Sequence, residues 1–279
     1  MQVFEQKTAL HQYIEKAKSE AKCIGFVPTM GALHAGHIAL IYKALTQCDL
    51  VISSIFVNPI QFNNPDDLKK YPRTFESDKK MLEEAGCHAI FYPSVEEMYP
   101  DTEEKVEQFD FGMLELVMEG ASRPGHFNGV AVVVKRLFQI VEPDIAFFGK
   151  KDFQQLAIVK ALVKQMRSPI QIVGLDTVRE KDGLAMSSRN RRLSIQEREK
   201  AVELSKTLNF IKKNKNAMEP AQLEGEAKKQ LDECFKVEYI QIVDGYTLQP
   251  ITKWSQTNYP VVCAAAFIGD VRLIDNLEL

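Results

Sequence analysis

The sequence has 279 residues, of which 45% are apolar and 26% charged, and its net charge is −3. This composition is typical of a globular protein, and the length allows a large core divided between two domains. The small negative charge gives no general attraction to nucleic acid or to an acidic membrane, so we expect neither as a partner.

Three further features predict a cytoplasmic location. The most apolar run, VAVVVKRLFQIV, is short and contains Lys135 and Arg136, so we expect no membrane span. The first residues, MQVFEQKTAL, lack the pattern of a secretory signal. The five cysteines are scattered without a C-x-x-C pair, which favours buried thiols in a reducing compartment over disulfides or zinc.

The first predicted domain, residues 1–175, alternates strand-like and helical segments from Cys23 onward. Runs rich in Ile, Val and Phe predict five strands, namely CIGFVP, LVISSIFV, HAIFYP, IAFFG and IQIVGL. Helical patterns lie between them at 37–47, 75–85, within 130–141 and at 152–166. Strands buried between helices predict an α/β fold with a Rossmann-like, doubly wound parallel sheet.

The second predicted domain, residues 176–279, has a different pattern. A capping box formed by Ser194 and Glu197 begins a long amphipathic helix, and another helix is expected after Pro220. The strings VEYIQIVDG and VVCAAAFIG predict strands. We therefore expect a smaller C-terminal α+β domain.

The first predicted strand leads into a turn and a helix that carries two of the five histidines, in the run GFVPTMGALHAGHIAL. A helix N-terminus presents unpaired N–H groups and the positive end of the helix dipole, which suits a phosphate. His34 and His37 can share a face there and add hydrogen-bond donors. Ligands of doubly wound sheets also bind at strand ends, so this position favours a phosphate site.

Other interpretations of the two histidines remain open. One can cap the helix while the other is an ordinary half-buried side chain. A zinc site is disfavoured, because no nearby His or Cys cluster supplies further ligands. The spacing fits neither G-x-G-x-x-G nor a P-loop. The string HAGH resembles the H-x-G-H signature of the adenylyl-transferring superfamily that includes class I aminoacyl-tRNA synthetases.

Two later loops also place polar side chains at predicted strand ends. In FVNPIQF, the amides of Asn58 and Gln61 can orient hydroxyls and carboxylates, although Asn-Pro is also ordinary turn chemistry. In FFGKKDFQQL, Asp152 can hold a ribose hydroxyl, and it also has capping-box spacing to Gln155; capping and ligand binding are compatible for Asp152 but compete for Gln155.

Two more motifs differ in how much they indicate. The hydroxyls and guanidiniums of GLAMSSRNRRL suit a departing pyrophosphate, although Arg192 fits a solvated position better. The string RPGHF, with Arg123 and His126, is ambiguous alone because a Pro-Gly turn needs no function.

Together these segments resemble the pantoate–β-alanine ligase family. The strings PTMGALHAGH, FVNPIQF, YPR, RPGHFNGV, FFGKKDFQQL and GLAMSSRN occur in that order along essentially the whole chain. The resemblance implies a nucleotide-binding domain, a smaller domain that closes over it, and a homodimer. It also implies that pantoate and ATP give pantoyl-adenylate and pyrophosphate, after which β-alanine displaces AMP to form pantothenate.

The resemblance further implies roles for individual residues. His37 falls at the family's proton donor, and His34, Lys151 and Arg189 are the other expected catalytic groups at the phosphates. The implied ATP-binding residues are Met30, Gly31, Ala32, Leu33, His34, Ala35, Gly36, His37, Gly149, Lys150, Lys151, Asp152, Val178, Met186, Ser187, Ser188 and Arg189.

The acid substrates and the metal are expected at other positions. Gln61 and Gln155 fall where the family holds pantoate, Gln61 also where β-alanine is expected, and the amide of Asn58 suits the same acid. Mg²⁺ is expected with ATP. In YPRTFESDKK the acidic pair often seen in the family becomes Ser77 and Asp78, so Asp78 is the better candidate for a protein ligand.

Two departures from the family pattern affect the expected site. Lys150 replaces the usual glutamate and adds positive charge beside ATP, and Val132 replaces a common threonine. Two other functions stay open. A nucleotidyltransferase of the same superfamily would favour a cationic acceptor pocket over amides, and an RNA-binding relative of tRNA synthetases would favour a basic surface.

Overall fold

The computed structural model describes residues 1–62, 65–100 and 107–279, and the chain divides into two compact units. The first unit comprises Met1–Phe111, Ser122–Lys150 and Gln155–Asp176. The second comprises Gly112–Ala121, Lys151–Gln154 and Thr177–Leu279. The predicted boundary between residues 175 and 176 stays a prediction, and the second unit also takes two short segments from the N-terminal half.

A parallel sheet, six-stranded within the described residues, organises the first unit. Its strands lie in the order β1, β4, β3, β2, β5, β6. Their bounds are β1 Gln2–Phe4, β2 Ile24–Thr29, β3 Leu50–Ile55, β4 Ala89–Phe91, β5 Ile145–Gly149 and β6 Gln171–Leu175. The chain runs from β2 to β3 and β4 and then returns to pair β5 with β2, so the direction of winding reverses between β2 and β5. Ligands of such sheets bind outside the carboxyl ends of the strands at this reversal.

The helices follow the apolar patterns of the sequence. Their bounds are α1 Lys7–Ser19, α2 Ala35–Leu45, α3 Pro65–Lys70, α4 Phe75–Glu84, α5 Val95–Met98, α6 Met118–Ser122, α7 His126–Val141, α8 Phe153–Gln165, α9 Ile195–Asn214 and α10 Pro220–Asp232. In the first unit, Leu40 and Ile41 of α2 pack with the strand residues Val27, Val51 and Phe147. Burial of this apolar face stabilises α2 against the sheet and so fixes the helix that carries the two histidines.

The second unit contains an antiparallel sheet of β7 Lys236–Asp244, β8 Pro260–Ile268 and β9 Val271–Glu278. Leu204 and Leu208 of α9 and Leu223 of α10 belong to one apolar core with Ile242 and Val262 of the sheet. The predicted fold class, a doubly wound parallel sheet with a smaller α+β part, is confirmed.

Most predicted elements agree with the structure to within two residues, but α7 begins four residues before the predicted range. Gly125 is the N-cap of α7 with φ of +78°, so the Pro-Gly pair ends a turn and the helix starts at His126. The strands β1 and β9, the helix α1 and the short helices α3, α5 and α6 were not predicted. Among the described residues, no helix is long and apolar enough to cross a membrane.

All five cysteines are free thiols. Cys48, Cys87 and Cys263 are buried, and Cys23 and Cys234 are partly exposed. Burial raises the pKa of Cys87 to about 11, which keeps that thiol protonated near neutral pH.

Candidate active site

A buried carboxylate holds the turn between β2 and α2. Asp78 of α4 is fully buried, and its two oxygens accept the backbone N–H groups of Ala32 and Leu33, each at 2.8 Å. The Thr74 hydroxyl also donates to Asp78 at 3.1 Å. Gly31 has φ of +79°, and a Cβ there would lie 3.1 Å from Asp78 Oδ2. The backbone of the predicted ATP-binding turn is therefore fixed before α2 begins.

Both histidines cap α2 through the same ring nitrogen. His34 is the N-cap, and its Nδ1 accepts the N–H of Gly36 at 3.2 Å. The Nδ1 of His37 accepts the N–H of His34 at 3.3 Å, and the two ring centroids are 4.1 Å apart. In a neutral imidazole whose Nδ1 accepts, the proton lies on Nε2. Each ring therefore carries an Nε2–H donor at the carboxyl end of β2.

A second polar group lies after β3, where a short turn carries Asn58 and Gln61. Both side chains are buried, with exposed fractions of 1% and 7%. Asn58 Nδ2 donates to Gln61 Oε1 at 3.2 Å and to the carbonyl of Gly129 at 3.1 Å. Gln61 Nε2 lies 2.8 Å from Met30 Sδ. The structure thus brings together Met30, Asn58 and Gln61, which the sequence analysis placed in one site.

The ambiguous RPGHFNGV motif supports this turn from α7. His126 is buried, and its Nδ1 lies 2.8 Å from the carbonyl of Gln61, which can only accept, so Nδ1 carries the proton. A Cβ at Gly129 would lie 2.6 Å from the carbonyl of Ile60 and 2.8 Å from Gln61 Cα. Sequence reasoning missed both contacts, although their spacing of three residues on one helix face was available as a signal.

After β5, the charged and amide side chains have distinct environments. Lys150 pairs with Asp176 at 2.7 Å, so a carboxylate offsets the extra charge of this departure from the family pattern. Gln154 is buried and its amide bonds backbone groups of the 112–121 segment. Gln155 is half-buried, and its amide makes no hydrogen bond to the described residues of the first unit.

In the second unit, a short hairpin pairs two predicted nucleotide contacts. Met186 N–H donates to the carbonyl of Val178 at 3.0 Å. Arg179, next to Val178, forms a two-bond ion pair with the buried Asp275 of β9 at 2.7 and 2.9 Å. The adjacent Asn276 donates to the carbonyl of Lys151 at 2.8 Å. The end of β9 thus holds both the hairpin and the Lys151 segment.

The phosphate-binding loop predicted after this hairpin is also capped. Ser187 Oγ accepts the N–H of Arg189 at 3.2 Å, and Asn190 Nδ2 donates to the carbonyl of Ala185 at 3.0 Å. These bonds turn the chain at Ser188, so that Arg189 follows directly from the hairpin. Of the predicted site, the second unit holds Lys151, Asp152, Val178, Met186, Ser187, Ser188 and Arg189, and the first unit holds the rest.

Asp78, the predicted metal ligand, is hydrogen-bonded to the backbone of the turn before α2. Both oxygens of Asp78 bond backbone amides, and the Ser77 hydroxyl donates to the carbonyl of Thr74 at 3.2 Å. No group of three His, Cys, Asp or Glu side chains suited to a metal occurs in the part of the chain that the structure describes. These residues do not fit a magnesium ion held by protein carboxylates.

A cavity of about 490 Å³ opens at the carboxyl ends of β1, β3 and β4. Met30, Gly31 and Asp78 contribute to its lining, together with Arg73 and Tyr92. The cavity is bounded by the turn that precedes α2, so the predicted site borders an open space on this side of the sheet.

Comparisons with known proteins agree with the fold and the motifs. The family model described as pantoate-beta-alanine ligase matches residues 2–278. A protein of Porphyromonas gingivalis named pantothenate synthetase is 48% identical over 280 residues, covering 100% of this chain and 99% of that protein. One of Bacteroides fragilis with the same name is 49% identical over 267 residues, covering 94% and 93%.

Solved structures give the same relation. Pantothenate synthetase from Thermus thermophilus superposes with a TM-score of 0.93 at 40% identity, covering 100% of this chain and 99% of that one. Pantoate-beta-alanine ligase from Francisella tularensis, complexed with beta-gamma ATP and beta-alanine, gives 0.83 at 34% identity, covering 100% and 97%.

Proposed function

Because this chain belongs to the pantoate–β-alanine ligase family, we propose that it activates pantoate with ATP as pantoyl-adenylate and then transfers the pantoyl group to β-alanine. The observation that carries this proposal is the pair of imidazoles after β2. Their Nδ1 atoms accept backbone N–H groups at the start of α2, and their Nε2 atoms are hydrogen-bond donors. They follow β2, the strand that lies next to β5, and the winding of the sheet reverses between these two strands.

The proposed chemistry uses charge stabilisation rather than a protein nucleophile. The carboxylate oxygen of pantoate attacks the α-phosphorus of ATP, and the bond to the bridging oxygen breaks, so negative charge moves onto pyrophosphate. His34, His37, Lys151 and Arg189 stabilise that charge by donating hydrogen bonds to the phosphate oxygens. The amine of β-alanine then attacks the acyl carbon, and AMP leaves. Rate enhancement comes from positioning and electrostatics.

Neutral amides are proposed to hold the acids. Asn58, Gln61 and Gln155 bind pantoate, and Gln61 also contacts β-alanine. Two features support this assignment: the oriented amides of Asn58 and Gln61, and the absence of a hydrogen bond from Gln155 to the described residues of its own unit. A neutral amide binds a carboxylate without lowering its nucleophilicity as much as a cation would.

Further proposals concern the metal, the assembly and the location. Mg²⁺ enters with ATP and is held by phosphate oxygens and water, because both oxygens of Asp78 accept backbone N–H groups.

The protein acts as a homodimer in the cytoplasm; the family resemblance supports the dimer, and the scattered thiols support a reducing compartment. The match over residues 2–278 favours the ligase over a nucleotidyltransferase or an RNA-binding relative.

The test is exchange of labelled pyrophosphate into ATP. Exchange should require pantoate and proceed without β-alanine, because the adenylate forms first. If exchange required β-alanine, or if ADP were the main product, the adenylate order would be wrong.

Isotope transfer provides the complementary measurement. Pantoate labelled with ¹⁸O in its carboxylate should pass one labelled oxygen to AMP when β-alanine reacts. Labelled inorganic phosphate would instead show attack at the γ-phosphate and would overturn the roles given to the phosphate-facing residues.

A further inference from the structure

A buried chain of hydrogen bonds links Tyr99 to Gln61. Tyr99 Oη lies 2.8 Å from Asn58 Oδ1, and Asn58 Nδ2 contacts both Gly129 and Gln61. Asn58 has an exposed fraction of only 1%, so water cannot replace a lost partner at low cost.

The direction of every bond in this chain follows from one atom that can only accept. The carbonyl of Gly129 is an acceptor, so the Asn58 atom that faces it must be Nδ2. Asn58 Oδ1 then faces Tyr99, which must donate. The second proton of Asn58 Nδ2 goes to Gln61 Oε1, and the NH₂ group of Gln61 is left facing Met30.

The ring of Tyr99 is itself fixed on two sides. The guanidinium carbon of Arg136 lies 4.9 Å from the centre of the ring, and Arg136 Nη1 donates to the carbonyl of Met98 at 2.9 Å. The ring of Phe56 lies 6.2 Å from that of Tyr99. Burial raises the pKa of Tyr99, so the phenol keeps its proton and remains a donor across the physiological pH range.

We infer that Tyr99 is a positioning residue for the acid substrate, which fixes the amide of Asn58 and through it turns the NH₂ group of Gln61 toward pantoate. The inference rests on the proposed role of Gln61. A carboxylate or hydroxyl oxygen of the acid would accept from Gln61 Nε2, the atom that the chain of bonds turns away from Asn58 and toward Met30 of the ATP-binding turn. Without the phenol, Asn58 Oδ1 is buried and unsatisfied, and the Gln61 amide loses its fixed orientation.

The test is a double-mutant cycle of Tyr99→Phe and Gln61→Ala, with kinetics for each substrate. Phenylalanine keeps the ring between Phe56 and Arg136, so the variant should fold. Tyr99→Phe should raise the KM for pantoate about three- to ten-fold, as expected for one hydrogen bond, and change the KM for ATP less than about two-fold. In the Gln61→Ala background the same change should raise the KM for pantoate less than about two-fold, because the group that Tyr99 orients is gone.

Tyr42→Phe is the matched control, since Tyr42 is 55% exposed, and it should change neither KM. Equal effects of Tyr99→Phe in both backgrounds, or equal effects on ATP and pantoate, would show a merely structural role and overturn the inference. If Gln61→Ala itself leaves the KM for pantoate unchanged, the proposed role of Gln61 fails, and the inference fails with it. If only Tyr99→Phe is silent, the inference alone is wrong.

Discussion

An imidazole has two nitrogens, and the junction of β2 and α2 assigns them different tasks. From the sequence, capping and phosphate contact were competing interpretations of His34 and His37. The structure shows that both rings cap the helix through Nδ1. The cap does not use Nε2, so that nitrogen of each ring can still donate to a phosphate. Capping is therefore established in the structure, and phosphate contact stays a prediction that substitutions can separate from it.

Three substitutions of His37 should separate the two tasks. His37→Ala removes both nitrogens, so we expect a loss of about 1 kcal/mol in stability and a fall in pantoate-dependent exchange of about ten- to one-hundred-fold. His37→Asn supplies an amide oxygen near the position of Nδ1, so stability should recover while exchange stays low. His37→Gln reaches the position of Nε2 and should recover part of the exchange.

The measurements are pyrophosphate exchange and thermal unfolding, and His11→Asn, at an exposed position of α1, serves as the control. A His37→Asn protein with the exchange rate of the wild type would show that His37 serves only as part of the helix cap.

The neighbouring amides Gln154 and Gln155 provide a second pair of contrasting substitutions. Gln154→Ala should cost about 2–3 kcal/mol in stability, because the buried amide bonds Leu114, Val117 and Glu119. Gln155→Glu should leave the melting temperature nearly unchanged but raise the KM for pantoate at least about ten-fold, because a carboxylate would then face the carboxylate substrate. The KM for ATP should change little. If the melting temperature of Gln155→Glu falls while the kinetics for pantoate do not change, Gln155 is structural.

At the scale of elements, periodicity predicted most of the first unit because its strands are continuous apolar runs between amphipathic helices. It missed β1 because three residues carry no usable period. It missed β9 because that strand buries Asp275 and Asn276 among its apolar residues, and those polar residues interrupt the pattern. The same two residues hold Arg179 and Lys151, so the interruption marks the part of β9 that supports the candidate site.

A half-buried carboxyl group between α10 and β7, that of Glu224, should make stability depend on pH. Glu224 accepts the N–H of Ile242 at 2.6 Å, and burial raises the pKa of Glu224 above its ordinary value. The folded state therefore favours the protonated form, so the contribution of Glu224 to stability is greatest below the pKa of the unfolded state. That contribution is lost as pH rises through the raised pKa of the folded state.

Glu224→Gln keeps the acceptor for Ile242 without the charge. The free energy of unfolding of this variant, relative to that of the wild type, should increase as pH rises from the ordinary glutamate pKa of the unfolded state through the raised pKa of the folded state, and then level off. Urea unfolding at several pH values measures it, with Glu226→Gln at an exposed position of the same helix as the control. A difference that stays constant or falls with pH would contradict the assignment.

At the scale of the whole molecule, the sequence predicted a simple division of the chain, whereas the second unit also includes Gly112–Ala121 and Lys151–Gln154. These two segments belong to the second unit through contacts with residues that are far away in the sequence. Arg272 Nη1 and Nη2 donate to the carboxylate of Glu119 at 2.8 and 2.7 Å, and the Tyr239 hydroxyl donates to it at 2.7 Å. No local pattern indicates which arginine a glutamate 153 residues away will meet.

The last prediction tests whether this pair ties the 112–121 segment into the second unit. The side chains of Arg272 and Glu119 are only 19% and 11% exposed, so Arg272→Met leaves a mostly buried carboxylate without its cation. We expect a cost of about 3 kcal/mol. The double variant Glu119→Leu with Arg272→Met should recover much of it, because the more buried carboxylate is then gone and only that of Glu238, which is 28% exposed, has lost the guanidinium. Arg198→Met, which breaks the more exposed pair with Asp182, should cost less than about 1 kcal/mol.

Hydrogen exchange in Arg272→Met should become faster in residues 112–121 and in β9, while β2 and β3 stay protected, because local opening follows the cooperative unit that lost its contact. Equal loss of protection in β2 and β3 would mean that the segment unfolds with the first unit instead.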